Sequence, residues 1–330
     1  MRKLIAFVLI LLLGVAAWLA WALWLPLSPG GRTFVMLRPG YSTRRVAREL
    51  KAARVIRNAE AFVFWHALHR RPSLKAGEYV FEQDASAISV HKRLARGDVY
   101  FHTVVIPEGF NMFDIAAAIQ NAGLGSSREF LKVATNDTAL ISDLAPGATS
   151  LEGYLFPDTY EFTRTQSVHD MATEMVKKFR KVAAEIGLNQ DLPRIVTLAS
   201  IVEKETGVPE ERPEVASVYS NRLRGRIPLQ ADPSVIYAEL LQGAYGGALH
   251  HGDMSFNSLY NTYRYAGLPP GPIANPGRTS LEAAMHPAET QFLFFVSDGN
   301  GHHRFSNTLE EHNRNVAALR RAVARKYPQP

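Results

Sequence analysis

Arg194-Ile-Val-Thr-Leu-Ala-Ser-Ile-Val-Glu-Lys-Glu-Thr206 is an apolar run that carries two glutamates into its last turn and stops at Gly207. Ile195, Leu198, Ala199 and Val202 fall at i, i+3, i+4 and i+7, so a helix here is expected to bury them as one stripe, with Lys204 pointing away. At about 100° per residue, Glu203 and Glu205 flank that stripe on opposite sides. Either could be half buried while the other is solvated. A carboxyl held against apolar neighbours is kept protonated, which general acid catalysis near neutral pH requires. The plainer reading is a helix end with two solvated glutamates.

Around this run the chain is long enough for two or three domains. It has 330 residues, 46% apolar and 21% charged, the composition of folded material. Its formal charge of +6 favours anionic surroundings, but the basic residues are dispersed and no nucleic-acid motif accompanies them. With no cysteine, disulfides, thiolate metal sites and thiol chemistry are excluded.

After Arg2 and Lys3, Leu4 to Leu25 runs 22 residues without a charge, enough to cross a bilayer core as a helix. A signal peptide would end its shorter apolar region at a small-residue cleavage site, whereas Trp18, Trp21 and Trp24 carry this run on toward an interface. Arg2 and Lys3 favour a cytoplasmic N-terminus. Pro26 to Gly31 reads as a short linker.

Sliding the sequence by 69 positions sets Val35-Met-Leu-Arg-Pro-Gly-Tyr41 against Val104-Val-Ile-Pro-Glu-Gly-Phe110, and Val46, Ala47 and Leu50 against Ile115, Ala116 and Ile119. Each copy reads as a strand, a glycine turn and a helix capped by Ser42 or Asn111, with further helices from Asn58 and Ser127. Ala76 to Phe81 is expected as a strand and Ile88 to Leu94 as a helix. Units of this shape resemble LysM glycan-binding modules, although a duplicated unit can also simply pack against its twin.

From Pro146 the character changes, with the aromatic stretch Leu151-Glu-Gly-Tyr-Leu-Phe-Pro-Asp-Thr-Tyr160. Helices are expected at Met171–Ile186, Pro193–Thr206 and Pro213–Leu223, then a rigid loop at Gly267–Gly277. A short helix at Leu281–Met285, a β-hairpin through Phe292–Ser297 and His303–Phe305, and a helix at Leu309–Lys326 follow. The expected fold class is α+β. Its order is an N-terminal stretch (1–3), a transmembrane helix (4–25), a linker (26–32), a LysM-like duplicated β/α region (33–145) and a mainly helical catalytic domain with a β-hairpin (146–330).

For the chemistry, His250, His251 and Asp253, and the pair His302 and His303, match no established ligand spacing, so no metal or other cofactor is expected. Serine hydrolase elbows and phosphate-cradling glycine loops are absent from the sequence. Carboxylate chemistry remains. Tyr154, Phe156, Tyr160, Tyr260, Tyr263 and Tyr265 stand near Asn257, Asn261 and Gln230, the aromatic and amide mixture that holds sugars, although core packing uses the same residues.

Leu198-Ala-Ser-Ile-Val-Glu-Lys-Glu-Thr206, Asn221-Arg-Leu223, Leu229-Gln-Ala-Asp-Pro-Ser-Val235, Tyr260-Asn-Thr-Tyr263, Gly267-Leu-Pro-Pro-Gly-Pro-Ile273 and Glu311-His-Asn313 resemble the YceG-like endolytic murein transglycosylases (MltG) over nearly the whole chain. Leu259 stands where such sequences often have a proline. The resemblance, not the helix geometry, implies Glu205 as the catalytic residue and a supporting role for Glu203. Tyr154, Gln230, Asp232, Asn261 and Tyr263 are the expected substrate contacts. It further implies cleavage of the MurNAc–GlcNAc bond of peptidoglycan with a 1,6-anhydro end, limiting strand length. The expected place is the inner membrane, single-pass, with the catalytic domain periplasmic. Glycan strands, membrane lipid and peptidoglycan synthases are the expected partners, and nucleic acid is not. The other readings are a hydrolytic muramidase, which would recruit Asp232 or Glu203 as second carboxylate, and a noncatalytic peptidoglycan-binding scaffold.

Overall fold

A computed structural model describes residues 1–69 and 73–326. In chain order the elements are α1 (Arg2–Leu23), β1 (Thr33–Leu37), α2 (Thr43–Ala52), α3 (Ala59–Leu68), β2 (Gly77–Phe81), α4 (Ala87–Arg96), β3 (His102–Ile106), α5 (Met112–Asn121) and α6 (Ser127–Asn136). They continue with β4 (Asp158–Phe162), α7 (Val168–Glu185), α8 (Leu192–Glu205), α9 (Arg212–Arg224), α10 (Asp232–Gln242), α11 (Arg278–Met285), β5 (Phe294–Ser297), β6 (His303–Ser306) and α12 (Leu309–Lys326). The fold is mixed α+β with helices dominating.

The chain divides into two compact units. Unit 1 comprises residues 1–103 and 161–167; unit 2 comprises 104–160 and 168–330. The 69-residue repeat is carried faithfully into structure: added to the bounds of β1 and α2, the offset lands on those of β3 and α5. β1 pairs with β2 and β3 with β4, so each copy is a β-α-α-β unit. The second copy falls mostly in unit 2, whereas composition placed a boundary near residue 146. Composition changes at Pro146, but the contacts of α5 and α6 are with the elements that follow them, α6 packing on α7.

Unit 1 forms because α2, α3 and α4 each have a local start signal and residues buried against one core. The side chains of Ser42, Asn58 and Ser86 accept from the backbone N–H of Arg45, Ala61 and Ser89, satisfying donors that a helix N-terminus leaves orphaned. The antiparallel β1–β2 ladder, in register from Thr33 opposite Phe81 to Leu37 opposite Gly77, buries Val35, Leu37, Tyr79 and Phe81 against Val46, Leu50, Phe62, Val90 and Leu94. Ala22 and Leu23, at the end of α1, belong to the same core. The segment expected as a linker is tied down: Leu27 and Ala85 exchange backbone hydrogen bonds of 3.0 and 3.2 Å, and Arg57 donates to the Pro26 carbonyl at 2.6 Å. Buried Glu78 accepts from His102 at 2.7 Å and Arg164 at 2.8 Å, which holds the 161–167 segment in this unit.

In unit 2, capping boxes at Asn111/Asp114 and Ser126/Glu129 start α5 and α6. α8 is the central helix, packed by α9, α10 and α11. Its buried residues run without a break from Val196 to Val202, so the expected single stripe is replaced by burial on nearly every side. A helix surrounded by other helices has no solvent face to reveal its period. Gly153 is a true glycine position, with φ of +87° and a Cβ that would lie 2.4 Å from Pro272. β5 and β6 form the antiparallel hairpin, Phe294 opposite Ser306.

Candidate active site

α8 ends at Glu205, and Thr206, extended at φ −135°, begins the exit from the helix. The last turn presents its two glutamates to different surroundings. Glu203, with a side chain only 5% exposed, accepts from Arg212 at 2.8 Å through one oxygen and from the Gly277 N–H at 2.9 Å through the other. Both of its oxygens are thus engaged with the start of α9 and of α11. Lys204 donates to the Gly109 carbonyl at 3.2 Å.

Glu205 faces a cleft of about 260 Å³ lined by Tyr219, Arg222, Leu229, Gln230, Asp232, Tyr263, Phe295 and His312. Tyr219 donates to its carboxylate at 2.6 Å. Burial pushes the Glu205 carboxyl up to about 7 from an ordinary 4.5, and the Asp232 charge acts in the same direction. The Tyr219 hydrogen bond and the Arg222 charge oppose them. The position at a helix C-terminus, the negative end of its dipole, also favours the neutral acid. At neutral pH both protonation states are populated, so this group can give a proton and take one back.

Each wall of the cleft has a local cause. Pro213 at the first turn of α9 starts a helix that puts Tyr219 and Arg222 three residues apart on one face. Arg222 donates to the carbonyls of Leu293 at 2.7 Å and Leu229 at 2.9 Å and to the Gln230 side chain at 3.4 Å, and lies 5.1 Å over the Phe294 ring. One guanidinium therefore joins α9, the β5 approach and the Gln230 loop. Gln230 itself is left-handed at φ +53°, a conformation uncommon outside glycine, held by its N–H to the Thr262 carbonyl at 3.2 Å. Asp232 opens α10, where a carboxylate is favoured, and accepts from the Tyr263 hydroxyl. His312 stacks on Phe294 at 5.2 Å, and burial together with the Arg222 charge keeps its imidazole below its usual range, neutral.

Of the residues predicted from sequence, Glu205, Gln230, Asp232 and Tyr263 are brought together in this cleft. Tyr154 and Asn261 are not. Tyr154 is buried against Phe179, 5.0 Å away edge to face, and Asn261 is fully buried, donating to the Met254 and Phe256 carbonyls and accepting from the Tyr263 N–H. They build the walls instead of lining them. Sequence reasoning passed over Tyr219, Arg222, Phe295 and His312. Two of these lay within the family-like motifs Asn221-Arg-Leu223 and Glu311-His-Asn313, and an arginine three residues after a tyrosine, on one face of the same helix, was the available signal.

A second unheralded acid supports the cleft from behind. Glu152 is 1% exposed and pushed up to about 7 by burial. It accepts from the Met112 N–H at 2.9 Å, from the Asn275 amide at 2.7 Å and from Tyr237 of α10. The 267–277 loop is further held by the Ile273 N–H donating to Ser200 of α8 at 3.0 Å.

Fold and site together define a mixed α+β protein with an N-terminal apolar helix and a single raised carboxyl set in a polar and aromatic cleft. The chain belongs to the YceG-like family, which it matches over residues 35–318. A protein of Bacillus subtilis named endolytic murein transglycosylase is 32% identical over 311 residues, covering 88% of this chain and 86% of its own length. One of the same name from Streptococcus pneumoniae is 27% identical over 332 residues; this chain spans 60% of its length. The crystal structure of a yceG-like protein from Listeria monocytogenes superposes with a TM-score of 0.56 at 32% identity, covering 86% of this chain and 98% of that one.

Proposed function

We propose that this protein is a lytic transglycosylase that cuts peptidoglycan strands internally, at the MurNAc–GlcNAc β-1,4 bond, and so limits the length of nascent strands. The observation that carries the reading is the Glu205 carboxyl, raised to about 7 at the head of a cleft. Protonated Glu205 gives its proton to the glycosidic oxygen as that bond breaks. The resulting carboxylate then takes the proton of the muramic C6 hydroxyl, which attacks its own C1 and closes a 1,6-anhydro ring without water. The nucleophile is tethered to the reacting sugar, so its effective concentration far exceeds that of a second molecule. Tyr219 steadies the anionic form between the two proton transfers, while Gln230, Asp232 and Tyr263 offer the sugar polar contacts and Phe295 an aromatic edge.

The proposed setting is a bilayer crossed once by α1, with Arg2 and Lys3 on the cytoplasmic side and the rest of the chain beyond the membrane. A glycan-holding role is proposed for the two β-α-α-β units, on the sequence resemblance to LysM modules. Peptidoglycan synthases are proposed as partners because they supply the nascent strand.

A muramidase reading draws on one observation, that Asp232 lines the same cleft and could serve water as a second carboxylate. Digestion of purified sacculi, followed by mass analysis of the new ends, separates the readings: anhydro ends are expected, and reducing ends would establish hydrolysis. Glu205→Gln keeps the side chain's outline but can carry neither proton transfer. Activity should fall by at least about 10²–10⁴, with Glu203→Gln as the milder control. Full activity in Glu205→Gln would remove Glu205 from the chemistry, and no cleavage by the parent protein would leave the scaffold reading in its place.

A further inference from the structure

The end of α1 is consumed by unit 1. Ala22 and Leu23 lie in that unit's core, and Trp24 meets Trp65 of α3 edge to face at 5.4 Å. The part of the helix left for lipid, Leu4–Trp21, is about 27 Å long at 1.5 Å per residue, against a hydrocarbon core of about 30 Å. No slack remains for a tether, and residues 26 and 27 are bonded into the unit as well. If α1 spans the bilayer, as proposed above, unit 1 must sit at headgroup depth.

α3 and α4 are the helices packed on the end of α1, and α3 carries α2 at its side. α3 starts alongside Trp21: the Arg57 guanidinium lies 5.4 Å over the Trp21 ring while donating to the Pro26 carbonyl. From there a groove of about 670 Å³ runs between α2 and α3, lined by Arg44, Arg48, Ala59, Glu60, Val63, Phe64 and Ala67. Its α3 wall is apolar apart from Glu60; Phe64 in that wall and Leu68, one turn beyond it, are 49% and 63% exposed. Its α2 wall carries Arg44 and Arg48, also one turn apart and exposed. Neither has an ion-pair partner among the described residues, whereas their neighbour Arg45 is engaged by Glu49 at 2.6 Å. Glu60 is the one carboxylate at the groove.

We propose that the α2–α3 groove of unit 1 seats an anionic phospholipid of the bilayer that α1 crosses. The headgroup phosphate lies between Arg44 and Arg48, and an acyl chain lies along Val63, Phe64 and Ala67. An apolar wall facing a doubly cationic one matches the two ends of a lipid, and the continuous α1–α3 packing brings the groove to the depth where lipids are found. The contact fixes the height and tilt of unit 1 on the membrane. Attraction of the phosphate adds to that of the buried apolar surface and weakens with salt.

The cysteine-free sequence makes the test clean. Three full-length variants, Leu13→Cys at mid-span, Phe64→Cys in the groove and Leu259→Cys on an exposed unit 2 surface, are labelled with an environment-sensitive fluorophore. They are reconstituted in vesicles of phosphatidylcholine with one-third phosphatidylglycerol, the same amount of spin label being carried either by the phosphatidylcholine or by the phosphatidylglycerol. The expected result is quenching at Leu13 in all vesicles, at least about twofold stronger quenching at Phe64 than at Leu259, and a further increase at Phe64 when phosphatidylglycerol carries the label, which Arg44→Ser/Arg48→Ser abolishes. Quenching at Leu13 with none at Phe64 beyond Leu259 overturns the lipid seat and leaves the span standing. No quenching at Leu13 overturns the span, and the seat with it. Quenching at Phe64 that ignores which lipid carries the label and the arginines overturns the anionic-lipid assignment. A Phe64 signal that responds to soluble glycan fragments but not to lipid reassigns the groove to glycan.

Discussion

Tyr219→Phe should separate the proton chemistry of Glu205 from substrate binding. The substitution keeps the ring, with its edge-to-face contact on Phe295 at 5.9 Å, and removes only the hydroxyl that donates to Glu205 at 2.6 Å. That hydrogen bond favours the anionic form, opposing the burial that raises the carboxyl to about 7. A hydrogen bond to a charged group contributes about 1.5–3 kcal/mol, so its loss should lift the Glu205 titration by roughly 1–2 pH units. The same energy is withdrawn from the carboxylate that exists once the leaving oxygen has been protonated. kcat should therefore fall about 10- to 150-fold, while KM stays nearly constant, because the hydroxyl is engaged by Glu205 and not by sugar. Initial rates on purified sacculi between pH 5 and 10, read from new strand ends by mass spectrometry, give both quantities. The alkaline limb of kcat/KM should move upward together with the drop in kcat. An unmoved limb with kcat within about twofold of the parent would refute the reasoning, since either Glu205 would not be the titrating group or Tyr219 would not act through it.

Glu152→Gln should destabilise unit 2 by about 1–3 kcal/mol, because an amide NH2 must face one of the N–H groups that the carboxyl now accepts; a melting curve in detergent checks it, and an unchanged midpoint would mean the network relaxes freely. The folded carboxyls of Glu152 and Glu205 stand near 7 against an unfolded 4.5, so each contributes stability that is complete below about pH 4.5 and lost as pH rises through 7. The loss is up to about 3 kcal/mol apiece. The difference in stability between the parent and Glu152→Gln should therefore shrink from pH 5 to pH 8, and a difference that grows would reverse the sign. Glu203→Ala should hurt folding more than chemistry, because it takes the nearer of two carboxylates from the 7% exposed Arg212 guanidinium and leaves only Glu108, at 3.4 Å; an intact midpoint with lost turnover would exchange the roles of the two glutamates.

What the sequence made legible was what local chemistry determines. The strands at β1 and β2, the caps at Ser42, Asn58 and Asn111, the hairpin at β5–β6 and the 69-residue repeat each rest on side chains a few residues apart. Their hydrogen bonds close within a turn or across one ladder, so pattern and structure coincide. The aromatic and amide residues were ambiguous for a physical reason: a ring that packs a core and a ring that stacks on sugar have the same composition. Tyr263 turned toward the cleft and Tyr154 into the interior because of partners 31 residues away in one case and 25 in the other, Asp232 and Phe179. Arg222 and His312 lay in recognisable motifs, but their place in the site comes from partners distant in sequence, Leu293 and Leu229 for Arg222 and Phe294 for His312.

The choice between Glu203 and Glu205 shows where helix geometry stops. Viewed along α8, the two are equivalent, each on one flank of the apolar run. Across from Glu203 stand a buried guanidinium and a backbone N–H, donors that occupy both of its oxygens. Across from Glu205 stand one phenol and the Asp232 charge, a setting that supports the anion weakly and resists it through burial. The first environment ties both oxygens to the fold; the second keeps a proton within reach of release. α9 contributes to both settings: Arg212 at its first residue meets Glu203, and Tyr219, two turns on, meets Glu205, while Gly277 and Asp232 complete them. A variant that shifted the register of α9 by a single residue would be expected to disturb both at once, even with every residue of α8 unchanged.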